Sequence, residues 1–234
     1  MTRRSLFALV GLGILSVGVL VGCATGPASA PEETPDATVS AEQAEARVAW
    51  LDAGRGVAVV TWGSSSCVPA AGESALDAGT LTVELIDTTD GPCTRDMAPR
   101  ATYVPLPQGV DATTGLDVAV TGAVTASVSL EGLGSAPAPV AEFAPSAGWA
   151  GDGLAAILTW GSSGCRPQVE AVTSAEGGAV VTFADPPADQ VCTMDLAPRV
   201  TLADLTGIVA EGPVELTLVG GNVASDGPIP LLGR

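Results

Sequence analysis

The chain has 234 residues, 47% of them hydrophobic, and carries 26 acidic residues against nine basic ones, all arginine, for a net charge of −17 and a pI near 4.1. It contains no histidine and no lysine, which excludes Ser-His-Asp and Cys-His nucleophile systems, His-ligated metal sites, Schiff-base and Ser-Lys chemistry and the P-loop lysine. The acidic balance argues against a nucleic-acid partner, whose phosphates are bound by clustered cations. With eight aromatic residues in all, any core must be built from Val, Leu, Ile and Ala.

At the amino terminus the cationic Met1-Thr-Arg-Arg-Ser5 precedes a 15-residue apolar run, Leu6 to Leu20. That length is short for a spanning helix and suits the hydrophobic region of a signal peptide, here residues 1–22. The run ends Leu20-Val21-Gly22-Cys23. A small residue before a single Cys at this place resembles the lipobox of bacterial lipoproteins. The resemblance implies cleavage before Cys23, acylation of its thiol by chains such as palmitate, and residence on the extracytoplasmic face of the cell membrane. A plain secretory signal cut near Ala24 is the alternative, and Arg3-Arg4 also resembles a twin-arginine export signal. Two or three acyl chains hold a protein stably where one does not. Removing residues 1–22 leaves seven Arg against 26 acids, a charge of −19, so lipid and not electrostatics would have to hold the body at the membrane.

Residues 23–46 form an acidic, Pro- and Ala-rich stretch that reads as a solvated tether, on the order of 25–30 Å across as a random coil. At its far end Ser40-Ala-Glu-Gln43 fits a capping box, and Ala44, Val48 and Leu51 are spaced as one face of a short helix.

Beyond the tether the chain repeats itself. Thr61-Trp-Gly-Ser-Ser-Ser-Cys67-Val-Pro69 recurs as Thr159-Trp-Gly-Ser-Ser-Gly-Cys165-Arg-Pro167, 98 residues on. Cys93-Thr-Arg-Asp-Met-Ala-Pro-Arg100 recurs as Cys192-Thr-Met-Asp-Leu-Ala-Pro-Arg199, 99 residues on. Two copies of this length predict two modules, at 47–134 and 148–234, and not a solenoid, which takes three or more short units. Between them residues 135–147 hold three prolines and read as a semi-rigid spacer. Apolar runs at Val57–Thr61 and Leu154–Thr159 lead into the Trp-Gly turns. Leu81–Ile86, Leu116–Val120, Val124–Leu130, Ala179–Phe183 and Val214–Leu218 alternate or nearly so, and Arg100–Val104 and Arg199–Ala203 add short strands. The second copy tails off through Pro228 and Pro230. The fold class expected is all-β: two tandem small antiparallel sandwich or barrel-like modules.

Setting Cys23 aside, four cysteines allow three pairings, of which only Cys67–Cys93 with Cys165–Cys192 gives each copy its own bridge. Structural bridges are expected in place of redox chemistry or a metal site, because the sequence has no Cys-x-x-Cys and no His. Gly63 and Gly161 are read as turn glycines. Asp96 with Arg100, and Asp195 with Arg199, are read as a lock beside each bridge, in which the carboxylate accepts backbone N–H bonds or pairs with the guanidinium. An Arg presented to an anionic ligand is the alternative. Trp62 and Trp160 are expected to cover the bridges, and Trp50 and Trp149 are the candidates for ligand contact. No catalytic residues, metal site or cofactor are assigned: the serine-rich turns lack a base, and Asp87-Thr-Thr-Asp-Gly91 has too few ligands for calcium.

The lipobox, the acidic tether and the two repeated motifs together resemble two-module envelope lipoproteins of high-GC Gram-positive bacteria that carry no assigned activity. The resemblance implies location and modular build. The function expected is binding or assembly at the envelope, toward an envelope protein or glycan. A carboxylate-dependent cell-wall glycan hydrolase is the alternative, followed by a protein inhibitor using a bridged loop, Ser64–Pro69 or Ser162–Pro167.

Overall fold

The computed structural model describes residues 45–88, 91–151, 153–209, 212–223 and 225–233. The expected signal peptide, Cys23 and the expected tether as far as residue 44 lie outside the described residues. Among the described residues fourteen strands make the fold all-β. The first copy supplies β1 (Ala46–Leu51), β2 (Gly56–Gly63), β3 (Ala70–Asp77), β4 (Thr80–Ile86), β5 (Ala98–Pro105), β6 (Leu116–Gly122) and β7 (Ala126–Leu130). The second supplies β8 (Ser146–Trp149), β9 (Leu154–Gly161), β10 (Val169–Ala175), β11 (Gly178–Phe183), β12 (Ala197–Asp204), β13 (Glu215–Gly220) and β14 (Ile229–Leu232). Among the described residues no helix is long and apolar enough to cross a membrane.

Sequence pattern separates two kinds of sheet. In β4 the alternation is strict: Leu81, Val83 and Leu85 are buried while Thr82, Glu84 and Ile86 face out, as a strand with one wet face requires. In β2 and β9 nearly every residue is buried, because both faces of these strands are covered. Val57 and Val59 point into the first copy's own core with Leu81, Val83 and Val118. Ala58 and Val60, one residue out of phase, join a different core whose other wall is Ala150, Ala156, Leu158 and Val200 of the second copy. Sheet β1-β2-β5 therefore lies against β8-β9-β12, each backed by its own outer strands. Small residues permit the close approach: a methyl group on Gly148 would stand 2.0 Å from the Trp50 carbonyl oxygen.

The described residues accordingly belong to one compact unit. The stacked layers sit closer to successive turns of a solenoid than to two separately cored modules on a spacer, because the shared core leaves neither inner sheet a wet face. The spacer is drawn in: Ser146 and Ala147 belong to β8, and Ser146 Oγ accepts the Asp52 N–H at 2.7 Å.

Pairing is not antiparallel throughout. β4 runs parallel to β6 and β11 parallel to β13, since the intervening strand, β5 or β12, crosses to the inner sheet before the chain returns. β14 pairs antiparallel with β13 and parallel with β8, so the second copy closes into one seven-stranded sheet. Pro230 sits inside β14, opposite Glu215, where the sequence reading has the copy tailing off. The expected helix is also replaced: Val48 and Trp50 face one core, Ala49 and Leu51 the other, which is period two. Six rungs of pairing with β2 override the local helix signal.

Candidate functional site

Each copy ends in a braced corner. Cys67 is bonded to Cys93 and Cys165 to Cys192, with Cα–Cα distances of 5.6 and 5.4 Å. Asp96 Oδ1 accepts the Ser65 N–H at 3.1 Å and the Thr94 hydroxyl. Asp195 does the same with Ser163 N–H at 3.0 Å and Thr193. These hydroxyl and amide donors hold Asp96 down at about 2, and Asp195 lower still. The arginines take a separate path. Arg199, 8% exposed, donates to the carbonyls of Cys165 at 2.9 Å and Trp160 at 3.0 Å. Arg100 donates to the carbonyl of Cys67. Burial lowers the Arg199 pKa, but a guanidinium stays charged. Asp and Arg thus brace two sides of each corner without pairing with each other, and both arginines turn inward, the buried Nε–H of each left without a partner.

Gly63 and Gly161 serve space and not the left-handed torsion expected of a turn. Gly63 is the last residue of β2 and Gly161 the last of β9, and a methyl group on either would stand 2.7 Å from the guanidinium carbon of Arg100 or Arg199. The arginine lies across the glycine.

Trp50 and Trp149 are corrected from ligand contacts to core residues: they are 0% and 7% exposed. The Trp50 Nε1–H is spent on the Glu131 carbonyl at 2.7 Å. Burial of Trp50 and Trp149 compensates for a core with few aromatics. The other pair sits nearer the surface. The Arg47 guanidinium lies 5.4 Å from the Trp62 ring centre. Trp160 meets Tyr103 and Phe143 edge-on at 5.8 and 5.1 Å, which places it at the seam of the two copies.

Repeat 2 carries a feature that motif matching does not reveal. Beside its disulfide opens a cavity of about 710 Å³ lined by Trp160, Arg166, Gln168, Asp185, Gln190 and Asn222, among others. The side chains of Arg166, Gln168, Gln190 and Asn222 are exposed. At the corresponding positions repeat 1 has Val68, Ala70, Gly91 and Val124. The signal was in the sequence as a difference between copies, whereas the motifs are found by their identity. A second cavity of about 460 Å³ lies along the seam and shares Trp160 and Arg166 with the first. A further polar cluster belongs to repeat 1: Asp52, nearly buried, holds Arg55 in an ion pair and accepts the Tyr103 hydroxyl at 3.2 Å. Burial first, then the Asp52 charge, raises the Tyr103 pKa. Repeat 2 has Gly151, Gly153 and Leu202 in these places. Among the described residues no group of three or more carboxylates or cysteines could hold a metal ion.

No protein-family model matches the chain, nor does any curated protein or any solved structure.

Proposed function

We propose that the protein is a lipid-anchored envelope protein of the extracytoplasmic membrane face that binds a ligand without chemical turnover. Its repeats are read as disulfide-braced β sandwiches fused through their inner sheets, the second of them carrying the binding site. Anchoring rests on the lipobox sequence, Leu20 to Cys23. The observation that carries the binding role is the cleft of repeat 2: one scaffold occurs twice, and four positions around one braced corner have become polar. A ligand-sized concave site with a few placed polar groups is the usual form of a binding pocket. A glycosidase sets two carboxyl groups across the bond it cuts, and Asp185 is the sole carboxylate among the residues lining this cleft, which favours binding over hydrolysis.

Two substitutions test the two halves of this reading in cells. Cys23→Ala is expected to abolish incorporation of labelled palmitate and release the protein from the membrane fraction; retained label would refute the anchor. A photo-crosslinking residue placed at Gln168 is expected to give an adduct absent when it is placed at Gly91, which lines neither cavity. Matching adducts from both positions would refute a site centred on the corner of repeat 2.

A further inference from the structure

We infer that the cleft of repeat 2 takes a neutral oligosaccharide, and that the ligand runs from this cleft across Trp160 into the cavity at the seam of the two copies. The inference rests on the binding reading above and names its ligand class.

Three observations carry it. First, the added polar side chains are mostly amides: Gln168, Gln190 and Asn222. A primary amide offers donors and an acceptor on one plane, which matches hydroxyl groups that both donate and accept. Second, the charges of the cleft are already engaged. Arg199 is committed to two carbonyls, and Asp185 Oδ1 accepts the Gly221 N–H at 3.2 Å. Of the three, Arg166 is exposed with its guanidinium open to a ligand, Arg199 keeps only a buried Nε–H, and the chain's net charge of −17 repels an anionic ligand. A neutral, hydroxyl-rich molecule meets neither obstacle. Third, the walls include Trp160, Pro186 and Pro187, rigid surfaces against which the C–H face of a sugar ring can lie without ordering flexible side chains, and the indole Nε1–H of Trp160 is buried without a partner. The two cavities, of about 710 and 460 Å³, share Trp160 and Arg166, so an occupant bridging them has to be elongated. Tyr103 and Thr102 of repeat 1 line the second cavity, which gives the first copy a part in holding the far end.

The test uses the full chain in detergent, titrated with neutral β-1,4-linked N-acetylglucosamine oligomers and β-1,3-linked glucose oligomers of one to six units, read by calorimetry and tryptophan fluorescence. Affinity is expected to rise at least tenfold from dimer to hexamer in one of the two series. The double substitution Gln168→Ala with Asn222→Ala should weaken that binding at least tenfold, and Val68→Ala in repeat 1 should leave it unchanged. A circular dichroism melt of the double variant separates lost binding from lost folding, since both side chains are exposed. Absence of binding in both series, or binding indifferent to the double substitution, overturns the inference. So does stronger binding of an extended proline-rich peptide at the same residues, although that result would leave the binding role of repeat 2 standing. Failure of the crosslink at Gln168 would instead remove that role.

Discussion

The two braced corners share nearly every internal contact and differ almost wholly in what they display. In both, a carboxylate gathers a backbone N–H and a threonine hydroxyl, an arginine lies across a glycine toward a cysteine carbonyl, and a threonine on the following strand caps a proline carbonyl, at 2.7 Å in repeat 1 and 3.0 Å in repeat 2. Around that common frame repeat 1 shows Val68, Ala70, Pro92 and Arg95, and repeat 2 shows Arg166, Gln168, Val191 and Met194. Val191, Met194 and Leu196 all stand exposed on the second corner, against Met97 on the first. Residues that are the same in both copies make the corner; residues that differ decide what the corner meets. A motif repeated so completely is for that reason better evidence of folding than of activity.

If the frame is a folding device, the two bridges should count equally. Replacing Cys67 and Cys93 together by Ala, or Cys165 and Cys192 together, should each cost about 3–4 kcal/mol, because the closed loops differ by a single residue, with separations of 26 and 27. Urea unfolding of the two double variants checks this. A loss confined to one of them would show that the corners are not equivalent frames and would break the comparison at its root.

The comparison is sharpened next at the seam. Gly148 of β8 and Ala49 of β1 occupy corresponding places in the repeat, yet only Gly148 lies where a methyl group would meet the opposing backbone, 2.0 Å from the Trp50 oxygen. Backbone cannot yield as a side chain can, so Gly148→Ala is expected to destabilise by about 1–3 kcal/mol. Ala49→Gly should cost less, about 0.5–1 kcal/mol. Thermal melts would show the order, and a reversed order would mean that the inner sheets do not approach this closely.

How much of this was legible in the sequence differs between the layers. The outer strands were readable because one face is wet: Leu81-Thr-Val-Glu-Leu announces both strand and orientation. Val57–Val60 announced a strand, and its unbroken apolar run already carried the further meaning that both faces are covered. That second cover proved to be the other copy. β1 was obscured because Val48 and Leu51 satisfy helical spacing as well as they fit a strand, and only pairing with β2 decides between them. β3 and β10 were invisible for another reason: as edge strands with bulges near Ala71 and Ala171, they are half exposed and need no apolar pattern. Parallel pairing of β4 with β6 leaves no trace in either strand, since alternation is the same in both senses. At the site, the bridges and the bracing residues were legible from identity between copies. The cleft was legible only from disagreement between them, at Arg166, Gln168, Gln190 and Asn222.

The smallest effect is one the two corners share, and it lies in their acidity. Asp96 and Asp195 are exposed, and each is stabilised as the carboxylate, first by its threonine hydroxyl and then by the serine of the facing turn. A carboxylate held below its ordinary value of about 3.9 lends stability that is full above that value and is lost as the pH falls through its folded one. Both corners should therefore stay closed well below a pH of about 3.9, the Asp96 carboxylate taking up its proton only around pH 2. The amide protons of Ser65 and Ser163 report the two events separately in an acid titration followed by NMR, each shifting as its acceptor is protonated. Midpoints shared by both amides near 3.9 would mean that water, and not the turn, satisfies these carboxylates. The corners would then be held by disulfide and arginine alone.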